Sequence, residues 1–310
     1  MHFAAMDLGS NSFHLLVAAR GSRGELVKLG AHKEVLKLGS SLDASGRLPD
    51  ESIARALDAL ETMLAFARFF RAQPIAVGTS ALRTAKNGQD FVRAAKRRLG
   101  LDVQILSGDE EAALAYSGAR SALSGLPARI AVVDLGGGSA EIAVGELEEQ
   151  CRCTETLPIG FLRFGSSSES EIRERVAHEA REVAARVRSL SPAACVASGG
   201  TARALAKVLG PSARFEGRPI HRDQLRALSR ELFYASPARL VELGVESSRR
   251  DAIGVGATVL SALVDALGAP SLRISSGGLR EGVLLRQIAA SERADPSGFR
   301  ATLPLDQLAV

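Results

Sequence analysis

Cysteine is scarce in this chain of 310 residues, with only Cys151, Cys153 and Cys195. An odd count with a Cys-x-Cys spacing builds neither a disulfide framework nor a tetrahedral metal site, and it suits a reducing compartment. Long apolar runs are lacking too. The longest, Ala252 to Ala269, is interrupted by Thr258, Ser261 and Asp265 and is rich in glycine and alanine, so it reads as a packed core helix and not a membrane span. The opening apolar run contains Asp7, Asn11 and His14, with no basic stretch or small-residue cleavage site beside it, and reads as strand rather than leader. A cytoplasmic protein without membrane contact is expected. No spacing among His2, His14, His32, His178 and His221 resembles a triad or a metal pair, and Cys195 stands among apolar residues, so no nucleophile is evident. Lysine supplies only six of the 39 cationic side chains. The arginine bias suits bidentate phosphate contacts, although genomic base composition explains it equally well. A net charge of +4 falls short of a nucleic-acid footprint, and no specific nucleic-acid partner is expected.

What is present is ordinary globular material. Apolar residues make up 46% and charged residues 24%, which excludes disordered, collagen-like and coiled-coil classes, and the length fits about two domains. Phe3 to Ala19 reads as a strand pair around Asp7-Leu8-Gly9-Ser10-Asn11-Ser12. Asp50 to Ala72 sets Ile53, Leu57, Leu60 and Leu64 on one helical face, and Pro74 stops that helix before a strand from Ile75 to Gly78. A helix from Asn87 to Leu99, closed by Gly100, a strand from Leu101 to Leu106 and a helix from Asp109 to Ala122 follow. After a strand from Ala128 to Leu135, one helix is expected from Glu169 to Leu190, then a strand from Ala194 to Ala197. Helices over Thr201–Leu209, Arg222–Ala235 and Arg250–Leu267, a strand from Leu272 to Ser275 and a helix from Leu279 complete the pattern. Strands alternating with helices predict a mostly parallel sheet.

The chain also repeats itself. Asp134-Leu135-Gly136-Gly137-Gly138-Ser139-Ala140-Glu141 echoes Asp7-Leu8-Gly9-Ser10-Asn11-Ser12-Phe13-His14 at an offset of 127 residues (134 − 7), the scale of a duplicated domain. Glycine between two strands lets successive amides turn toward an anion. An aspartate at the strand end tolerates phosphate only with a cation between them, so Asp7 and Asp134 suggest a shared Mg²⁺. A pair of ligand-free hairpins is the bland alternative. Ser198-Gly199-Gly200-Thr201 and Ser276-Gly277-Gly278-Leu279 both follow strands and open helices, where N-terminal amides bind anions, although Gly-Gly is also an economical turn.

These blocks, in this order, resemble the exopolyphosphatase/guanosine pentaphosphate phosphohydrolase family. Gly78-Thr79-Ser80-Ala81-Leu82-Arg83, Ser107-Gly108-Asp109-Glu110-Glu111-Ala112, Leu157-Pro158-Ile159-Gly160 and Ser276-Gly277-Gly278-Leu279-Arg280-Glu281-Gly282 extend the likeness over nearly the whole chain. The resemblance implies an α/β fold of two duplicated, ribonuclease H-like (actin-like) domains, with mixed sheets flanked by helices and a cleft between them. Residues 1–122 are expected to form the first domain, with a tail near 295–310 returning to it, and 123–294 the second. Larger relatives carry a further C-terminal helical region, so a minimal version is expected, and a homodimer is left open.

The implied activity is metal-assisted hydrolysis of terminal phosphate from inorganic polyphosphate, with guanosine pentaphosphate as the close competitor. A kinase or ATPase of the same superfamily and a non-catalytic polyphosphate or alarmone sensor are further alternatives. Such hydrolysis needs a positioned water and positive charge around the equatorial oxygens. By resemblance Glu111 orients the attacking water; a solvated helix-capping pair Glu110-Glu111 is the alternative. Glu141 lies in an apolar strand, where a carboxylate is costly unless paired with a cation or catalytic water, so Glu141 is a catalytic candidate and, with Asp134 and joined by Asp7, a candidate metal ligand; outward alternation in a half-exposed strand is the bland alternative. The expected substrate cradle comprises Gly9, Ser10, Asn11 and Ser12, Gly136, Gly137, Gly138 and Ser139, and Gly199, Gly200 and Thr201. By resemblance Asn11 and Arg83 contact phosphate, with a solvated Arg83 as the alternative. Arg93, Lys96, Arg97 and Arg98 form a basic helical stretch that is either a solvated face or a guide for a polyanion.

Overall fold

Three strands open the chain, β1 (His2–Leu8), β2 (Ser12–Arg20) and β3 (Leu26–Val35), each antiparallel to its predecessor. The structure, a computed structural model, describes residues 1–22, 24–146, 151–210 and 217–294. Parallel to β1 runs β4 (Ala72–Gly78), and β5 (Val103–Ile105) lies parallel to β4, giving the order β3-β2-β1-β4-β5. The second half builds the same sheet again. Strands β6 (Ile130–Leu135), β7 (Ala140–Gly145) and β8 (Cys153–Leu157) are antiparallel, and β9 (Ala194–Ser198) and β11 (Ser271–Ile274) continue beside β6 in parallel. A two-residue edge strand, β10 (Ile220–His221), is added beyond β11. Read from its β8 edge, the second order is β8-β7-β6-β9-β11, the first sheet over again. The fold is thus the expected duplicated ribonuclease H-like α/β architecture.

Both faces of each sheet are covered, which is why the strands read as apolar runs with little alternation. In β1, Ala4, Met6 and Leu8 face α1 (Asp50–Phe69), whose Ala56, Leu60 and Met63 are fully buried. Phe3 and Ala5 point the other way, onto Leu279, Val283, Leu284 and Ile288. After the short α2 (Ser80–Thr84) comes α3 (Gly88–Leu99), which ends as read, on Gly100 at φ 66°. In α4 (Gly108–Ser121), Ser107 and Glu110 form a reciprocal capping box: Ser107 Oγ accepts from the Glu110 amide at 3.1 Å and Glu110 Oε2 from the Ser107 amide at 2.8 Å. On the second sheet lie α5 (Glu169–Glu179), α6 (Arg181–Ser189), α7 (Gly199–Leu209), α8 (Arg222–Tyr234), α9 (Pro237–Glu242) and α10 (Arg250–Leu267), followed by α11 (Leu279–Ala294). No described helix is long and apolar enough to cross a membrane.

Two helices cover the sheet of the other half of the chain. Helix α11, expected in the second unit, buries its apolar side on the first sheet. Helix α4, expected in the first unit, places Ala112, Tyr116 and Ala119 on Ile130, Val132 and Ala143 of the second sheet. The two helices cross back to back, with glycines at the crossing: a Cβ on Gly282 would stand 1.9 Å from the Leu114 carbonyl oxygen, and one on Gly118 the same distance from that of Gly278. Covering helices are therefore exchanged between the halves. The expected return of residues 295–310 to the first domain lies outside the described residues.

Smaller differences have local causes. The helix expected over Glu169–Leu190 bends at Ala180 into α5 and α6 while Ile172, Val176, Val183 and Val187 all stay in the core. Strands β3 and β8 escaped the pattern reading because they are edge or near-edge strands rich in polar residues, such as Lys28, His32, Lys33 and Glu34 in β3.

Candidate active site

The two glycine turns leave equivalent strand ends, and each is held from behind in the same way. The carbonyl oxygen of Ser10 accepts from the Gly39 amide at 2.7 Å and that of Asn11 from the Lys37 amide at 2.8 Å. In the second turn the Gly136 and Gly137 carbonyls accept from the Phe161 and Leu162 amides at 3.3 and 2.9 Å, and the Gly138 carbonyl accepts from Arg163. With the carbonyls tied back, the amides of Ser10, Asn11, Gly137 and Gly138 donate to no backbone carbonyl among the described residues. That is the arrangement an anion cradle requires. The turns also touch: a Cβ on Gly137 would lie 3.2 Å from Asn11 Cβ, and one on Gly138 2.6 Å from the hydroxyl oxygens of Ser10 and Ser80.

Between them lies a cavity of about 110 Å³. The turn residues Gly9, Ser10, Asn11, Ser12, Gly136, Gly137, Gly138 and Ser139 line it, as do Gly199, Gly200 and Thr201 at the start of α7, so the expected cradle is brought together. Gly199 must be glycine there, since its φ is +87° and a Cβ would meet Asp134 Oδ1 at 2.5 Å. Four carboxylates line the same cavity: Asp7, Glu111, Asp134 and Glu141. Strand register places Asp134 directly opposite Glu141, as Asp7 stands opposite His14. Two like charges facing each other across a hairpin are destabilising unless something positive comes between them. Because Glu110 is spent on the cap, Glu111 is the acid that turns inward, and it is only 7% exposed.

Arginine Arg83 reaches two of these carboxylates. It is absent from the cavity wall; its Nη1 donates to Glu111 Oε2 at 2.7 Å and to the Leu106 carbonyl oxygen at 3.0 Å, and its Nη2 stands 3.6 Å from Glu141 Oε1. It thus engages two of the four carboxylates. Glu141 Oε1 also accepts from Ser139 Oγ at 2.6 Å. The positive charge on the wall comes from Arg203, Arg249 and Arg280, whose guanidinium groups make no hydrogen bond or ion pair with other described residues. Pattern reading missed these three. Arg203 and Arg280 stand close behind the two Gly-Gly turns, which was signal enough to find them; Arg249 lies in a polar loop with no signal of its own.

Burial dominates the electrostatics. It pushes the carboxyl of Asp7 up to about 7, with the nearby Glu111 charge adding to it. Glu111 also rises to about 7 through burial, against the pull of Arg83. Asp134 and Glu141 are raised for the same first reason, Glu141 further by the charge of Glu111. Burial lowers His14 to about 2, so this wall residue is a neutral imidazole. Arg203 is drawn down to about 10 by burial and then by Arg280, and remains charged. The cysteines offer no nucleophile: burial raises Cys195 to about 12 and Cys151 to about 11. The basic face of α3 is a neutralised surface, with Lys96 on Asp102 at 2.6 Å and Arg98 on Asp58 and Glu61 at 2.7 Å.

A hard divalent cation fits this donor set. Burial raises the Asp7 and Asp134 carboxyls and so disfavours their ionised forms, a cost that a bound cation would relieve. No three ligand-type side chains among the described residues converge as a cation held wholly by protein would need. Mg²⁺ usually takes one or two carboxylates and completes its shell with water and substrate phosphate, which is what Asp7 and Asp134 can supply.

Duplicated sheets, facing glycine turns and a wall of guanidinium groups without side-chain partners among the described residues define a two-lobed α/β protein with a cleft between its turns. Comparison with known proteins makes the assignment specific: the family model described as Ppx/GppA phosphatase matches residues 16–291, and the chain belongs to that family. It is 31% identical over 294 residues to a guanosine-5'-triphosphate,3'-diphosphate pyrophosphatase of Aeromonas hydrophila, a match that covers 91% of this chain. The chain spans 58% of the length of that relative. Among solved structures, the Ppx/GppA family member of Aquifex aeolicus superposes with a TM-score of 0.78 at 25% identity, covering 94% of this chain and 98% of that one. An exopolyphosphatase from Cytophaga hutchinsonii shares the fold with a TM-score of 0.83 at 22% identity and the same coverages.

Proposed function

We propose that the chain releases terminal orthophosphate from inorganic polyphosphate by attack of water, with Mg²⁺ as cofactor. The observation that carries this reading is the meeting of the two glycine turns around four carboxylates, Glu111 and Glu141 buried and Asp7 and Asp134 half-buried, and three arginines without side-chain partners among the described residues. Family membership supports phosphoanhydride hydrolysis over phosphate transfer to an acceptor. In this reading the turn amides, the start of α7 and Arg203, Arg249 and Arg280 hold the terminal phosphoryl group and stabilise the charge on its equatorial oxygens. Arg83 engages Glu111 Oε2, which leaves Oε1 to take a proton from the attacking water. Asp7 and Asp134 would hold the cation, which when bound supplies charge neutralisation of the phosphate oxygens.

Guanosine pentaphosphate is the second reading, favoured by the activity in the name of the Aeromonas hydrophila relative. Both substrates end in a phosphoanhydride, and the cavity described so far reads only that end. Orthophosphate release with Mg²⁺ from polyphosphate and guanosine pentaphosphate, measured in parallel, is the test. Release from polyphosphate is expected; a protein that frees phosphate from neither substrate overturns the proposal.

A further inference from the structure

Beside the catalytic cavity lies a larger one, of about 370 Å³. The two share His14, Gly200, Arg203, Arg249 and Arg280, so the three unpartnered arginines stand at the passage between them. Gly200 leaves Arg249 its place, since a Cβ there would sit 2.4 Å from a guanidinium nitrogen. Beyond the passage the wall carries Lys28 and Lys33 from β3 of the first lobe and Lys207 from α7 of the second. Lys33 Nζ donates to Ser248 Oγ at 3.3 Å, so this wall joins the two lobes. The lining includes a single carboxylate, Glu246, already ion-paired with Lys207.

The same wall offers little to a nucleoside. It contains no Phe, Tyr or Trp on which a base would stack. The one ring besides His14, His32, is held by Glu34 at 2.7 Å and lies 5.9 Å from Phe66, centroid to centroid. Glu246, the acceptor that guanine N–H groups would need, is engaged. A bare chain of phosphates, in contrast, finds cations on both sides along its length.

We infer that the larger cavity seats the unreacted part of a linear polyphosphate whose end lies between the glycine turns, and that Lys28 and Lys33 set the preference for long chains. The inference rests on the hydrolytic reading above and adds to it a choice between its two substrates. In the test, the full chain with Mg²⁺ is given long-chain polyphosphate, tripolyphosphate and guanosine pentaphosphate, as wild type and as the Lys28→Gln, Lys33→Gln double variant. Lys96→Gln, on the exposed surface of α3 and outside the cavity lining, serves as the single-charge control. In kcat/KM, wild type should prefer long chains to both other substrates. The double variant should lose about tenfold of the long-chain preference over tripolyphosphate, through KM, as expected for two partly screened contacts. Lys96→Gln should keep it. An unchanged preference in the double variant, or guanosine pentaphosphate cleaved as well as long polyphosphate, overturns the inference. Calorimetric binding of long-chain polyphosphate to the same proteins reads the cavity without turnover. Equal affinity of wild type and double variant overturns the inference even if hydrolysis is absent, whereas about tenfold weaker binding supports it.

Discussion

Replacing Asp7 with asparagine should stabilise the protein when divalent cations are removed, while abolishing its activity. Burial, with the charges of Glu111 and Asp134, raises the Asp7 carboxyl from 3.8 to about 7, against the opposing pull of Arg280 and Arg203. A carboxyl raised in the folded state binds its proton more tightly there than in the unfolded chain. Its stabilising contribution is therefore complete below about pH 4 and is lost as pH climbs to about 7. At pH 8 the ionised carboxylate costs on the order of 2–4 kcal/mol, after allowing for relaxation around it. At pH 5.5 roughly half of that cost applies. Asparagine has nearly the same shape and no charge, so Asp7→Asn should raise the melting temperature in EDTA by several degrees at pH 8 and by less at pH 5.5. Saturating Mg²⁺ should raise the wild type and leave Asp7→Asn nearly unmoved. Differential scanning fluorimetry across this grid of pH and metal reads all four corners. A variant that melts at or below the wild type at pH 8 in EDTA would refute the reasoning.

Glu111→Gln should lower kcat by roughly 10²–10⁴ with substrate binding largely kept, measured by phosphate release and calorimetry side by side. Arg83→Gln should lower kcat by about tenfold or more with little change in KM, because Arg83 grips Glu111 and not the cavity; a rise in KM alone would mark it as a substrate clamp. Chelation should abolish phosphate release and added Mg²⁺ restore it. Gly282→Ala should destabilise the fold by about 2 kcal/mol or more, read by urea melts, because the new methyl meets the Leu114 carbonyl oxygen at 1.9 Å.

Much of the site was legible because its chemistry is local in sequence. The Asp7 and Asp134 turns each combine strand end, glycines and carboxylate within six residues, and the repeat between them announced two facing lobes. Adjacent Glu110 and Glu111 were separable in principle, since a serine three residues before Glu110 marks it as the capping acid. The contacts of Arg83 were not legible, because position beside a motif says nothing of which way a long side chain reaches, and here it reaches the Leu106 carbonyl and Glu111. Arg249 was invisible since its loop meets the cavity only through the tertiary fold. In the fold, β3 was hidden by the charges an edge strand carries, and the placement of α4 and α11 by the fact that an apolar face does not name the sheet it will cover.

The traded helices have a consequence for how the molecule stands as a whole. Cut near residue 123, the amino-terminal piece would keep its own sheet but leave Phe3, Ala5, Leu16 and Ala18 bare, and the carboxy-terminal piece would leave Val132 and Ala143 bare. Neither fragment is expected to stand alone. Mixed together, they should recover a native assembly by lending each other the missing cover.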